Sequence, residues 1–492
     1  MSQPDFEVFV AADAAFAAFE QAVLDARVSV LGGFRIFDMR TRLISDAARA
    51  IGDTWFDLLA HVVSRGVRIE LIISDFDPVY ATTLHTLTWG TLKQAAALRE
   101  VTGASEDQVR VRAALHPATP GLVPWLAFLP PTLRKARRVR AGLDDTVWHA
   151  APGVSRTPRL HPVSHHQKLA VIDDDTLYIG GLDLNDRRFD TAEHDRPAHQ
   201  TWSDVQVIVR HDPAVAEAAQ HLASFDAVVH GRAAPPKLTH IIRTLSADRR
   251  LKLPFLSPRT LVSEIEDLHL DAIREAQHLI YIETQFMRSP RIATALAEAA
   301  QARDALSLIL ILPALPEPAA FSSEHELGIE TRYGLGLERD ALATIRSAFG
   351  ERATIATPVQ PFMAARDDTS GTAGSPMIYV HNKVLVQDRA LAYVGSANMN
   401  GRSLRWDTEA GIVLRTPQRI EALRDAVHKH WWRRDLEDAW ADPARMQPLW
   451  QAEIRRNDVC HPEKRVGFLV SHDAALHERQ GASLPFVTDD MV

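Results

Sequence analysis

Two segments of the chain repeat one another. HHQKLAVIDDDTLYIGGLDLNDR holds His166, Lys168 and Asp173, and VHNKVLVQDRALAYVGSANMNGR holds His381, Lys383 and Asp388, so both fit H-x-K-x(4)-D. The shared frame runs on. Seven residues past the aspartate stand Gly180 and Gly395, ten past it Asp183 and Asn398, and fourteen past it Arg187 and Arg402. Farther along, Asp204 lies six residues before Arg210, and Glu409 lies six before Arg415. Self-similarity of this kind is a property of the whole fold, because each copy is one structural unit. Two such units, facing one another across a pseudo-two-fold, would bring two imidazoles and two ammonium groups into one site.

Hydrophobic patterning agrees with two like halves. FEVFV leads into an Ala-rich helical run, VSVLGGFRIF reads as a buried strand, and VRIELIISDFD as another that runs into a loop. In the second half LIYIETQF, LSLILILP and ATIATPV read as strands, with helices between them. This alternation predicts an α/β fold of two similar lobes, each a mixed, largely parallel sheet flanked by helices. The expected boundaries are an N-terminal lobe over 1–235, a proline-rich basic connection over 236–258, and a C-terminal lobe over 259–492 with a helical extension.

The spacing of the motif has a chemical reading. Residues i and i+2 of a strand share a face, so His166 with Lys168, and His381 with Lys383, point the same way. Lysine is scarce here, eight of 55 basic residues, which makes its presence in both copies the more telling. Two ammonium groups make an anion site suited to a phosphodiester. One imidazole can attack phosphorus while the other protonates the leaving oxygen. Each then needs its second ring nitrogen held by a carboxylate or carbonyl, for which Asp204 and Glu409 are the candidates. Asp173 and Asp388 fall where the strands end, and are expected to tie a turn by accepting backbone N–H bonds. His165 faces the other way from His166 and is expected to be structural. Nothing in the arrangement calls for a metal or another cofactor.

Composition narrows the classes further. Cys460 is the single cysteine, so neither an intramolecular disulfide nor a Cys-rich metal cluster is expected. A formal net charge of −8 argues against a surface that tracks nucleic acid, and no nucleic-acid partner is expected. No apolar run reaches roughly 18 residues, the length of a membrane span. The acidic start MSQPDFEVFV is unlike a secretory leader. The expected location is cytoplasmic or peripheral at a membrane, with export by a signal-peptide-independent route as the alternative.

The duplicated H-x-K-x(4)-D frame, followed by Gly180-Gly181 and Gly395-Ser396, resembles the phospholipase D superfamily. HHQKLAVID, GGLDL, RRFDT and IYIETQF are similar to stretches of its eukaryotic-type phospholipases, with Thr284 and Phe189 departing from that pattern. The resemblance implies a catalytic set of His166, Lys168, Asp173, His381, Lys383 and Asp388, and a phosphohistidine intermediate with His166 as nucleophile and His381 as general acid, then base. Asp183, Asp204, Ser396, Asn398 and Glu409 are the candidate supporting residues. The implied reaction is hydrolysis of phospholipids such as phosphatidylcholine to phosphatidic acid and a head-group alcohol, with water or an alcohol as acceptor. Alternatives are a cardiolipin synthase-like phosphatidyltransferase, a nuclease or other phosphodiesterase of the superfamily, and an inactive scaffold. Both motifs in one chain suit a monomer.

Several other features carry expectations. PGLVPWLAFLPPTLRKARRVR joins an apolar, proline-rich stretch to a basic run, and Trp125, Phe128, Arg134, Lys135, Arg137 and Arg138 are candidates for membrane contact. The prolines there predict a protruding loop rather than a long helix. Gly334-Leu-Gly336 is expected to be a turn, not a nucleotide loop, and Trp431 and Trp432 are expected to pack a helix.

Overall fold

In a computed structural model the described residues form sixteen strands. The model describes residues 4–142, 159–254, 258–321, 327–365, 368, 370–473, 475, 481–483 and 489–491. The first lobe holds β1 (Phe6–Val10), β2 (Ser29–Phe34), β3 (Arg68–Ser74), β4 (Val109–Ala114), β5 (Leu169–Ile172), β6 (Thr176–Gly180) and β7 (Val205–Arg210). The second holds β8 (Ile241–Ala247), β9 (Arg259–Ser263), β10 (Leu279–Thr284), β11 (Ser307–Ile311), β12 (Ala353–Pro358), β13 (Lys383–Gln387), β14 (Leu391–Gly395), β15 (Glu409–Leu414) and β16 (Leu469–Ser471).

The two sheets have the same topology. The first is ordered β1-β7-β6-β5-β2-β3-β4, and the second contains the matching run β8-β15-β14-β13-β10-β11-β12, with β9 and β16 added at its edges. Only the three strands at one side of each run, β2-β3-β4 and β10-β11-β12, pair in parallel; the other pairings are antiparallel. The sheets are therefore mixed, as expected, but not largely parallel. The reason lies in the motif itself. The turn after each motif strand is too short for the crossover that a parallel partner needs, so β5–β6 and β13–β14 are hairpins. The connection expected over 236–258 also changes character: residues 241–247 form β8 and pair with β15 in the second sheet. Residues 255–257 of that stretch lie outside the described set.

Three apolar layers account for the packing. Val171, Val207 and Leu222 of the first lobe share one core with Val386, Ile412 and Val427 of the second, so the two sheets lie face to face. Separate cores cover the outer faces, with Phe16, Leu59 and Leu98 on the first lobe and Ile273, Leu296 and Leu342 on the second. Both sheets are thus buried on both faces, which is why LAVI of β5 and KVLVQ of β13 are buried at every position. Helices Pro213–Val229 and Pro417–Trp432 follow equivalent strands, each with proline in its first turn, where the missing N–H costs nothing. They cross over: the first packs against β8 and the second against β1. Trp431 and Trp432 end the second of these helices and are fully buried, as expected.

Two local expectations fail. Residues 122–142 form a helix rather than a loop, although Pro130 and Pro131 lie inside it. Both prolines are exposed, so the carbonyls they leave unpaired are on the solvent side, while Thr132 and Ala136 anchor the buried side. Gly334 and Gly336 are not a turn but sit within helix Ile329–Phe349. A Cβ at Gly336 would lie 2.4 Å from the Ala482 carbonyl oxygen, so close approach of backbone is the reason for that glycine.

Candidate active site

The histidines do not sit on the motif strands. His166 and His381 precede β5 and β13 on extended segments that leave their own sheet and pair with the opposite lobe. The His166 N–H donates to the Thr408 carbonyl at 2.8 Å, and the His381 N–H donates to the Ser203 carbonyl at 2.8 Å. Thr408 and Ser203 immediately precede Glu409 and Asp204, so this docking carries each carboxylate to the histidine of the other lobe. His166 Nδ1 lies 3.0 Å from Glu409 Oε2, and His381 Nδ1 lies 2.5 Å from Asp204 Oδ2. The ring centroids are 6.5 Å apart. The proposed carboxylate partners are thus the ones found, and the pairing is crossed.

Both lysines are buried beside the rings. Lys168 Nζ donates to the His166 carbonyl at 2.5 Å, and Lys383 Nζ donates to the His381 carbonyl and lies 2.8 Å from His381 Nδ1. Burial dominates the electrostatics. It lowers the Lys168 ammonium to about 8 and the Lys383 ammonium to about 7, with the neighbouring carboxylates opposing the shift. Burial, then the adjacent lysine, holds His166 and His381 well below the ordinary imidazole value. Burial also raises the Asp204 and Glu409 carboxyls, against the pull of the lysines.

The two imidazoles differ in one respect. His166 Nδ1 is also 3.1 Å from the Ser396 carbonyl, which can only accept. Nδ1 therefore carries the proton, and Nε2 is left with its lone pair. His381 Nδ1 has a carboxylate on one side and an ammonium on the other, so its neighbours do not impose one tautomer.

The supporting residues divide by lobe. Gly181 leaves room for the shorter Asp204 carboxylate, since a Cβ there would lie 2.0 Å from Asp204 Oδ1. The matching position is Ser396, whose hydroxyl donates to Glu409 at 2.5 Å. Asp183 accepts from the Ile36 N–H at 3.0 Å and faces Arg35 at 3.8 Å, whereas the Oδ1 of its counterpart Asn398 is buried with no hydrogen-bond partner among the described residues. His165 is buried against Phe225 with Nδ1 on the Thr408 hydroxyl at 2.8 Å, and so links the lobes structurally.

The motif aspartates, grouped above with the catalytic set, lie at the far ends of β5 and β13. Asp173 accepts the backbone N–H groups of Arg27, Val28 and Ser29, each at 2.8 Å. Asp388 accepts those of Gln277, His278 and Leu279 at 2.8–2.9 Å. Both take a left-handed backbone conformation, with φ 52° and 49°. Each strand is four or five residues long, which puts the carboxylate about 15 Å from the lysine. They fasten the lobes' frameworks and touch no reacting group. The bonds go to the start of the neighbouring strand, not within the turn.

Trp202 was not visible in the sequence. Its ring stands 4.5 Å from His381 and carries the Arg188 guanidinium 3.7 Å from its centroid. The first motif's GGLDLNDRR run could have suggested the arginine, but no repeat partner marks the tryptophan. Among the described residues, no group of three or more His, Cys, Asp or Glu side chains could hold a metal ion.

Comparison with known proteins follows the same lines. The family described as "Cardiolipin synthase, PLD-like domain" matches residues 269–431, which include the second motif. Phospholipase D1 of Saccharomyces cerevisiae is 22% identical over 379 residues, covering 56% of this chain and 22% of the relative. Phospholipase D1 of Schizosaccharomyces pombe is 24% identical over 354 residues, covering 53% of this chain and 26% of the relative. The chain thus spans about a quarter of the length of these curated relatives. The crystal structure of phosphatidylserine synthase from Haemophilus influenzae superposes with a TM-score of 0.54 at 12% identity, over 92% of this chain and 94% of that one, and so shares the fold. With its duplicated motif folded into one site between two like lobes, the chain is a member of the phospholipase D superfamily.

Proposed function

We propose that the chain is a phospholipase D-type phosphodiesterase that cleaves glycerophospholipids such as phosphatidylcholine to phosphatidic acid and the head-group alcohol. The observation that carries this reading is the crossed pair of imidazoles between two buried ammonium groups. The His166 Nε2 lone pair attacks phosphorus, and the bond to the head-group oxygen breaks as that oxygen takes a proton from His381 Nε2. Water then yields its proton to His381 while its oxygen attacks phosphorus, and the bond to His166 breaks. Lys168 and Lys383 carry the charge on the non-bridging oxygens. The arriving phosphodiester anion raises the pKa of both lysines and of His381, so the acid gains its proton as substrate binds. The carbonyl-fixed tautomer supports His166 as the nucleophile.

The second reading is phosphatidyl transfer, in which an alcohol takes the place of water in the second step. The description of the matching family and the name of the structural neighbour favour it. Either reading calls for action at a membrane surface, and no described helix is long and apolar enough to cross a membrane. The test is a panel of phospholipids with ethanol added. Phosphatidylethanol beside phosphatidic acid is the expected product. Turnover of other phosphodiesters with every phospholipid refused would overturn the substrate class.

A further inference from the structure

The exposed apolar residues are unevenly distributed. The end of the sheets that carries His166 and Glu409 also carries the connection after β4 and the connection after β8. Thr244 of β8 pairs directly with Glu409, and β8 continues for three residues, about 10 Å, to Ala247. The loop that follows exposes Leu251 at 88% and Leu253 at 60%. Against it packs the start of helix Leu122–Gly142: the Val123 N–H donates to the Leu253 carbonyl at 3.1 Å, and Lys252 Nζ donates to the Thr119 hydroxyl at 2.6 Å. That helix exposes Leu122 at 54%, Val123, Leu126 at 52% and Phe128. The apolar groups of the two segments therefore form one rim.

The same helix changes character along its length. Its first half is apolar at the surface, and its second half exposes Arg134, Lys135, Arg137 and Arg138. The whole chain is acidic, with formal charge −8, so this cationic zone is local. Trp125 does not belong to the exposed set, because it is half-buried and lines a cavity with His116, Asp248 and Lys252. Across the pseudo-two-fold, the connection after β12 exposes Phe362 and Met363 at the matching end of the second sheet.

We propose that the rim formed by helix Leu122–Gly142 and the loop 248–253 docks on an anionic phospholipid bilayer. Leu122, Leu126, Leu251 and Leu253 enter the interface, and the four basic residues meet the headgroups. An apolar edge beside a cationic zone matches the two attractions a bilayer offers a peripheral protein, partition of apolar groups and attraction to anionic lipid. The proposal deepens the phospholipid reading of the site and names the surface that presents the site to its substrate.

The experiment is sedimentation of the full chain with vesicles of equal parts phosphatidylcholine and phosphatidylserine, against vesicles of phosphatidylcholine alone. The variants are Leu122→Ser/Leu126→Ser, Leu251→Ser/Leu253→Ser, and Arg134→Gln/Lys135→Gln/Arg137→Gln/Arg138→Gln. Turnover of a water-soluble short-chain phosphodiester is measured in parallel. Each leucine pair is expected to weaken vesicle binding roughly tenfold or more, and the charge variant to abolish the preference for phosphatidylserine, all with short-chain turnover unchanged. The Leu251/Leu253 pair lies on an exposed loop, so it carries the test if the helix variant unfolds. Unchanged vesicle binding in the leucine variants overturns the proposal, as does a change in oligomeric state alone, which would make the rim a contact between copies. Absence of short-chain turnover in the unmodified protein would instead count against the proposed function and leave the binding result standing.

Discussion

Glu409 holds His166 from the opposite lobe, its carboxylate 3.0 Å from the imidazole Nδ1 across 243 residues of sequence. Asp204 does the same for His381 across 177 residues. Neither lobe contains a complete site, since each supplies a histidine and the carboxylate that orients the other lobe's histidine. Separating the lobes would remove both orienting contacts at once.

His166→Ala and His381→Ala are each expected to lower turnover by at least ~10³-fold, and the double variant by little more, because the two act as a unit. Glu409→Gln and Asp204→Asn are expected to lose on the order of 10²–10⁴-fold with substrate KM little changed, as an unoriented imidazole binds but does not react. Combining Glu409→Gln with His166→Ala should add nothing further. Rapid quench in alkaline denaturant with labelled substrate should recover phosphoenzyme on His166, because the bond between imidazole nitrogen and phosphorus survives base and is cleaved by acid. Recovery of the label on His381 alone would reverse the assigned roles.

The lysines set an alkaline limit. Lys383 and Lys168 are brought down to about 7 and about 8, and both must be protonated to draw in a phosphodiester. In the free protein kcat/KM is therefore expected to fall as pH rises through that interval. The limb in kcat should lie at higher pH, because the bound anion holds both protons in place. A kcat/KM profile that stays flat well above this range would remove the lysines from the binding step.

Acid should destabilise the fold through buried histidines that take no part in the proposed chemistry. Burial holds His165 and His221 neutral, bringing each down to about 3 from the ordinary imidazole value of 6.5. The unfolded chain binds these protons below 6.5 and the native one does not, so stability rises with pH over this range. Their contribution is fully present above 6.5 and is lost progressively as pH falls towards 3, by up to ~1.4 kcal/mol per pH unit for each group. Tm is expected to drop between about pH 7 and about pH 5, and to drop less in His221→Gln, which keeps a polar group beside Gln167. Equal pH dependence in the two proteins would exclude His221 as a contributor.

Asp173→Ala and Asp388→Ala should cost stability rather than chemistry. Each change leaves three backbone N–H groups without their acceptor and puts alanine at a positive φ. A loss of roughly 1–3 kcal/mol is expected, and a smaller one for asparagine, which tolerates that conformation. Turnover per folded molecule should stay close to that of the unmodified protein. A loss comparable to that of the histidine variants, at unchanged Tm, would return the aspartates to the catalytic set.

Local order was legible in the residues. Consecutive apolar positions marked the strands, and the paired motifs marked the duplication. The matched positions of Asp204 and Glu409 marked them as histidine partners, although spacing alone could not say which histidine each would hold. The sequence also overstated two things. It made the sheets too parallel, because strand-helix alternation in part of each lobe says nothing of the hairpins in the rest. It broke the helix at Pro130 and Pro131, because a propensity acts before burial is known, and here Thr132 and Ala136 secure the helix from its other side. Trp202 and Arg35 carry no pattern and entered the site only through folding. The two histidines and two lysines could be singled out from the residues alone, because their spacing is a short-range property of one strand and one turn. The tertiary structure decided the pairings: Glu409 reaches His166, and Asp204 reaches His381, only when the apolar faces of two sheets are buried against each other. That burial depends on the whole of both faces and on no single stretch of residues.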